Sequence, residues 1–127
     1  MAGESASIGA GMTVACFAVR PCPSKVQVTS LTDSLIDALG LSKAKHDPTT
    51  YNYPVAGKGG VGLSYIQPIM ESFIVVNMYS NFEGAYVVIC SCVPIDYIKA
   101  LMVIKSYGLA IVDAFFDTLS LIKIGTE

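Results

Sequence analysis

The chain has 127 residues, of which 53% are hydrophobic and 14% charged, with a net charge of −2. That length gives one domain with a real core, small enough to favour oligomers. With no basic run it lacks the footprint of a nucleic-acid binder. No apolar run approaches the ~20 residues of a membrane-spanning helix. Charged residues usually make up about a quarter of a soluble chain, so one this apolar is expected to hide surface against a partner subunit.

Residues 1–11 are small and polar, without the basic start and apolar centre of a signal peptide, and read as a flexible leader. Residues 12–127 read as a single α+β domain, expected in the cytoplasm. Thr13–Arg20 alternates and is rich in Val, Ala and Phe, which predicts a first strand ended by Pro21-Cys22-Pro23. A helix follows from a start between Ser24 and Ser30, with Val28, Leu31, Leu35 and Leu39 on one face and Gly40 as its stop. Tyr51–Tyr53 is expected to be extended and leads into the glycine-rich Gly57-Lys58-Gly59-Gly60. That tetrapeptide precedes a strand rather than a helix and lacks the Gly-Lys-Ser/Thr ending of a phosphate loop.

Val61–Met70 reads as a strand, with Pro68 tolerable at an edge or bulge. Phe73–Tyr79 is strongly β-prone, Asn81–Gly84 reads as a turn, and Tyr86–Cys92 as another strand. Pro94 to Tyr107 is the second predicted helix, with Ile95, Ile98, Met102 and Leu109 facing inward and Gly108 as its stop. Ala110–Asp117 closes as the last strand. The order β-α-β-β-β-β-α-β predicts a two-layer α+β sandwich: a mostly antiparallel sheet, both helices on one face, the other face free to meet a second subunit.

Hairpin geometry singles out Glu71-Ser72, which lies between two apolar runs. If Asn81–Gly84 is a four-residue turn, Ser80 pairs with Ala85 and Cys92 falls opposite Phe73; a one-residue slip puts it opposite Ser72. The same arithmetic sets Ser64 across from Asn77 or Met78, so that Ser64, Ser72, Asn77 and Cys92 could gather on three adjacent strands. Cys16, Cys22, Cys90 and Cys92 match no zinc spacing, and with a lone His46 no metal site is expected. The seven tyrosines show no order of a stacking platform and read as core and interface residues.

A glycine-rich approach, a strand, Glu71-Ser72, a strand, a turn, a strand ending in Cys92 and a helix opening Asp96-Tyr97-Ile98-Lys99-Ala100 together resemble the S-adenosylmethionine decarboxylase family, in its small prokaryotic, self-cleaving form. The resemblance implies a sandwich of that family's kind and a homodimer packed face to face or edge to edge. It implies cleavage between Glu71 and Ser72, with Ser72 becoming a covalent pyruvoyl group, and no metal or dissociable cofactor. The pyruvoyl would take up the primary amine of the substrate, S-adenosylmethionine, and act as the electron sink as carbon dioxide leaves, in polyamine (spermidine) synthesis. Cys92 would return the proton to the product carbon, and Ser64 and Asn77 would be the processing neighbours.

The sequence departs from that family at several positions. Asn77 stands where the family has its processing histidine and cannot take up a proton near neutral pH. Ser80-Asn81 replaces a Pro-Glu pair that contacts the ribose, and Lys58 replaces an adenine-stacking aromatic, leaving Tyr53, Lys58 and Asn81 as substrate-binding candidates. The alternatives are an uncleaved, non-catalytic relative serving as a binding or partner subunit, and a decarboxylase for another amino acid such as arginine or ornithine.

Overall fold

In the computed structural model, which describes residues 11–55 and 60–121, the chain runs β1 (Gly11–Arg20), α1 (Lys25–Ala38), β2 (Thr49–Val55), β3 (Gly60–Ile69), β4 (Ser72–Tyr79), a short 3-10 turn (Ser80–Phe82), β5 (Gly84–Ser91), α2 (Tyr97–Ser106) and β6 (Ala110–Ser120). The six strands form one antiparallel sheet in the order β2-β3-β4-β5-β1-β6. The predicted α+β sandwich is the observed architecture. No helix among the described residues is long and apolar enough to cross a membrane.

Strand alternation builds the core. Ala15, Phe17 and Val19 of β1, Ile74, Val76 and Met78 of β4, and Ala85, Val87 and Ile89 of β5 are buried against the helices, whereas the residues between them stay partly open. α1 supplies Val28, Leu31 and Leu35, as its periodicity predicts. Its ends are set by local chemistry. The Ser24 hydroxyl accepts from Gln27 N at 3.2 Å while the Gln27 side chain accepts from Ser24 N at 2.9 Å, a reciprocal cap. At the other end Gly40 adopts φ 69°, and Leu41 N donates to Ile36 O at 2.9 Å, which terminates the helix.

α2 differs from expectation. It starts at Tyr97 because Asp96 caps it, its carboxylate accepting from Lys99 N at 3.0 Å, and it buries Ala100 and Ile104; Ile98 and Met102 are exposed. The segment from Ile98 to Ile104 is apolar on nearly every side, so periodicity does not fix which face turns inward. The cap and the neighbouring β1 do.

Pro68 sits inside β3, opposite Phe73 of β4. Its carbonyl accepts from Ala44 N, so its missing N–H points to the same flank, where β2 has already ended at Thr49 opposite Ile66.

β6 is longer than predicted because β1 already begins at Gly11, which pairs with Ser120. Gly11 thus belongs to β1 rather than to a leader, whose residues 1–10 lie outside the described residues. β6 is an edge strand. Cys92 N bonds to Glu71 O, and alternation carried across β5 and β1 turns the amides of Ala114 and Thr118 to the free edge. Both are covered: Asp113 accepts from Ala114 N at 2.9 Å and Asp117 from Thr118 N at 2.8 Å. A charged carboxylate on an edge amide blocks another chain from pairing there. Replacing both aspartates by alanine is expected to produce larger self-associated species by light scattering, with stability within about 1 kcal/mol of the parent. An unchanged particle size would show that the carboxylates do not protect the edge.

Candidate functional site

Ile69 pairs with Ser72, so β3 and β4 are joined by the two residues Met70 and Glu71. The turn is pinned from three directions. Met70 N donates to Ser42 O at 2.7 Å, Ser42 N donates to the Glu71 carboxylate at 3.0 Å, and Cys92 N donates to the Glu71 carbonyl oxygen at 3.1 Å. That carbonyl is the one a Ser72 hydroxyl would attack. An amide aimed at it draws electron density from the carbon and stabilises negative charge developing on the oxygen.

The β4–β5 register corrects the expected one. Tyr79 pairs with Gly84, Phe73 with Cys90 and Ser72 with Ser91. The connecting loop still has four residues, but it starts one residue earlier than predicted, which moves every cross-strand partner by two. Cys92 therefore falls past Ser72, level with Glu71, and touches the turn through its backbone. The physical reason lies at Gly84. A Cβ there would stand 2.9 Å from the Val19 carbonyl oxygen, so the glycine serves a close approach inside β5, and Glu83 takes the left-handed turn position with φ 59°. Ser91 is fully buried, its hydroxyl donating to Val93 O at 2.8 Å.

Ser64 and Asn77 pair as one of the two expected registers has it, and Ser64 donates to the Asn77 side-chain oxygen at 2.7 Å. They do not gather with Ser72. Alternation along β4 puts Ser72 on the helix side and Asn77 on the open face, and five strand residues separate them by roughly 16 Å. The four residues fall into two places: Ser72 and Cys92 at the Glu71 turn, Ser64 and Asn77 on the open face. The sequence reasoning missed Ser42 and the Cys92 amide; backbone donors leave no signal in residue identity.

The open face carries an unexpected tyrosine chain. Tyr51, Tyr53, Tyr79 and Tyr86 follow one another with ring centroids 5.9, 6.3 and 5.9 Å apart, in place of the scattered core role expected of them. The Tyr53 ring lies over Gly62, where a Cβ would come within 2.6 Å of it, and its hydroxyl shares a 3.1 Å hydrogen bond with the Tyr79 hydroxyl. Asn81 buries both polar atoms of its side chain without a hydrogen-bond partner, and Lys58 lies outside the described residues.

The hydrogen bond with Tyr53, then burial, then the charges of Tyr53 and Tyr86 push Tyr79 up to about 12. Its neutral form is thus favoured by folding: the stabilisation is present below pH 10 and lost as pH rises toward about 12. Tyrosinate absorbance of the folded protein should show one group ionising near the top of this range, and Tyr53→Phe should bring it down. A single transition near pH 10 would contradict the coupling.

Cys16, Cys22 and Cys90 are free thiols that burial pushes up, which favours their protonated form. Among the described residues, no three His, Cys, Asp or Glu side chains come together as a metal site.

Structural comparison finds this layout among solved proteins, for example in the adenosylmethionine decarboxylase from Aquifex aeolicus. It matches with a TM-score of 0.56 over 91% of this chain and 95% of that one. The fold is adenosylmethionine decarboxylase-like. Sequence identity is 12%, so the likeness is one of architecture. No protein-family model matches the sequence, and no curated protein matches it. Within this decarboxylase-like fold, the Glu71 turn lies at one end of the sheet and the tyrosine chain on its uncovered face.

Proposed function

We propose that this protein is a pyruvoyl-dependent decarboxylase of the S-adenosylmethionine decarboxylase family, made as a proenzyme that cuts itself between Glu71 and Ser72. The observation that carries the reading is the Cys92 amide on the Glu71 carbonyl oxygen, next to Ser72 at a pinned two-residue turn. The Ser72 hydroxyl attacks that carbonyl carbon. The new C–O bond replaces the C–N bond, and the nitrogen receives the proton. Elimination then frees the Glu71 carboxyl, and hydrolysis, consuming water and releasing ammonia, leaves the pyruvoyl on the second chain. Ser42 N keeps its hold on the Glu71 side chain, so the turn is anchored on the side that is cut away.

Once formed, the pyruvoyl supplies an electron sink for loss of carbon dioxide from an amine-bearing substrate. S-adenosylmethionine is the first candidate, in polyamine synthesis, and another amino acid the second. The Cys92 thiol is the proposed proton donor to the product. The elimination needs a base, which Asn77 does not provide. Ser64 and Asn77 also stand too far from Ser72 in the same chain to assist.

The missing base favours one competing reading, an uncleaved relative that binds a partner or ligand. Intact mass under denaturing conditions, before and after a carbonyl-reactive amine such as phenylhydrazine, separates the two. Two fragments split at Glu71-Ser72, the second trapping the amine, are expected. One full-length chain that traps nothing would replace the enzyme with the binding protein.

A further inference from the structure

A cleft of about 400 Å³ lies at the end of the sheet far from the Glu71 turn, and neither Ser72 nor Cys92 takes part in it. Its lining includes Ala18, Gly84, Arg20, Tyr79, Phe82 and Tyr86. Ala18 and Gly84 are small, which leaves room between the larger side chains. Gly84 cannot be larger without striking the Val19 carbonyl, so this part of the lining is fixed by backbone packing. Tyr86 is 49% and Phe82 44% exposed, large apolar rings left facing the hollow rather than turned into the core. Tyr79 props Tyr86 edge-on, at 5.9 Å between centroids and 74° between planes.

Arg20 is the one charged side chain lining the cleft, and it meets no carboxylate among the described residues. Its stem lies beside Gly84, 3.5 Å from where a Cβ would be. β4 spans seven residue steps from Ser72 to Tyr79, roughly 23 Å, so within one chain the cleft is separate from the cleavage turn.

We propose that this cleft binds a small molecule with a planar aromatic ring and one anionic group. The ring stacks against the exposed face of Tyr86 and the anion pairs with the Arg20 guanidinium. The cleft is within the range of small-molecule sites, and aromatic walls with a single oriented charge are the pattern of such sites. Guanidinium pairs with phosphate and carboxylate alike. The ring–anion combination therefore comes from two sources, a nucleoside monophosphate or an aryl carboxylate. The inference does not rest on self-cleavage, and it stands or falls apart from it.

Calorimetric titration of the full-length protein with AMP, adenosine, 4-hydroxybenzoate and inorganic phosphate tests it. AMP or 4-hydroxybenzoate is expected to bind, and whichever binds names the source. Adenosine should bind AMP's site about tenfold or more weakly, and phosphate alone should not bind measurably. Arg20→Gln, at an exposed position, should cost about tenfold. Ala18→Leu should fill the hollow and abolish binding with an unchanged circular dichroism spectrum; Tyr86→Ser serves the same purpose if that variant misfolds. No binding of either anion at millimolar concentration would overturn the proposal. So would adenosine as tight as AMP, or undiminished binding in the filled or truncated cleft.

Discussion

Ser72→Ala is expected to leave a single full-length chain with no decarboxylase activity and no reaction with phenylhydrazine. The variant lacks the one hydroxyl adjacent to the Glu71 carbonyl, and no later step can begin without the ester. Cys92→Ala should behave differently. It removes the thiol but keeps the amide that donates to the Glu71 carbonyl. Cleavage should therefore proceed near the parent rate while turnover falls by about 10²-fold or more, the scale of a lost general acid. Mass spectrometry of the purified variants and carbon dioxide release measure the two effects separately. Decarboxylation by Ser72→Ala would remove the pyruvoyl assignment altogether. Cleavage lost in Cys92→Ala would mean that the thiol, and not the backbone, acts in processing.

Phe17→Ala is expected to be the most damaging core substitution after those at the cleavage turn. Phe17 is fully buried in β1, between β5 and β6, and stacks on Tyr97 at 5.6 Å. Tyr97 in turn tilts onto Phe116 at 4.9 Å, so this ring ties the start of α2 to the edge of the sheet. Truncation loses the burial of the ring and leaves a cavity, at a cost of about 3–5 kcal/mol. Against the 5–15 kcal/mol typical of a domain, that lowers the melting temperature by roughly 10–20 °C. Phe116→Ala is the control: Phe116 is 43% exposed, and its loss should cost much less. Equal melting temperatures for the two variants would show that the aromatic tie carries no weight. Denaturant unfolding followed by circular dichroism reads both.

The sequence determined the elements and their order. Alternation in β1, β4 and β5, the 3.6-residue spacing of Val28, Leu31 and Leu35, and stops at Gly40 and Gly108 are local patterns. Each is set by how a few neighbouring residues meet one buried face, and each is legible without knowing the partner. The Glu71-Ser72 turn between two strands was legible for the same reason.

Tertiary structure alone decided the register of β4 against β5, the inward face of α2 and the separation of Ser72 from Asn77. In β5 a backbone contact from the neighbouring strand claims Gly84 and moves the turn by one residue, and this takes Cys92 past Ser72. In α2 nearly every position is apolar, so contact with Phe17 and the Asp96 cap select a face that no periodicity marks. The amide on the Glu71 carbonyl and the aromatic cleft beside Arg20 likewise come from strands distant in sequence. Local propensity says which residues form a strand; only packing between strands says which backbone group meets which carbonyl.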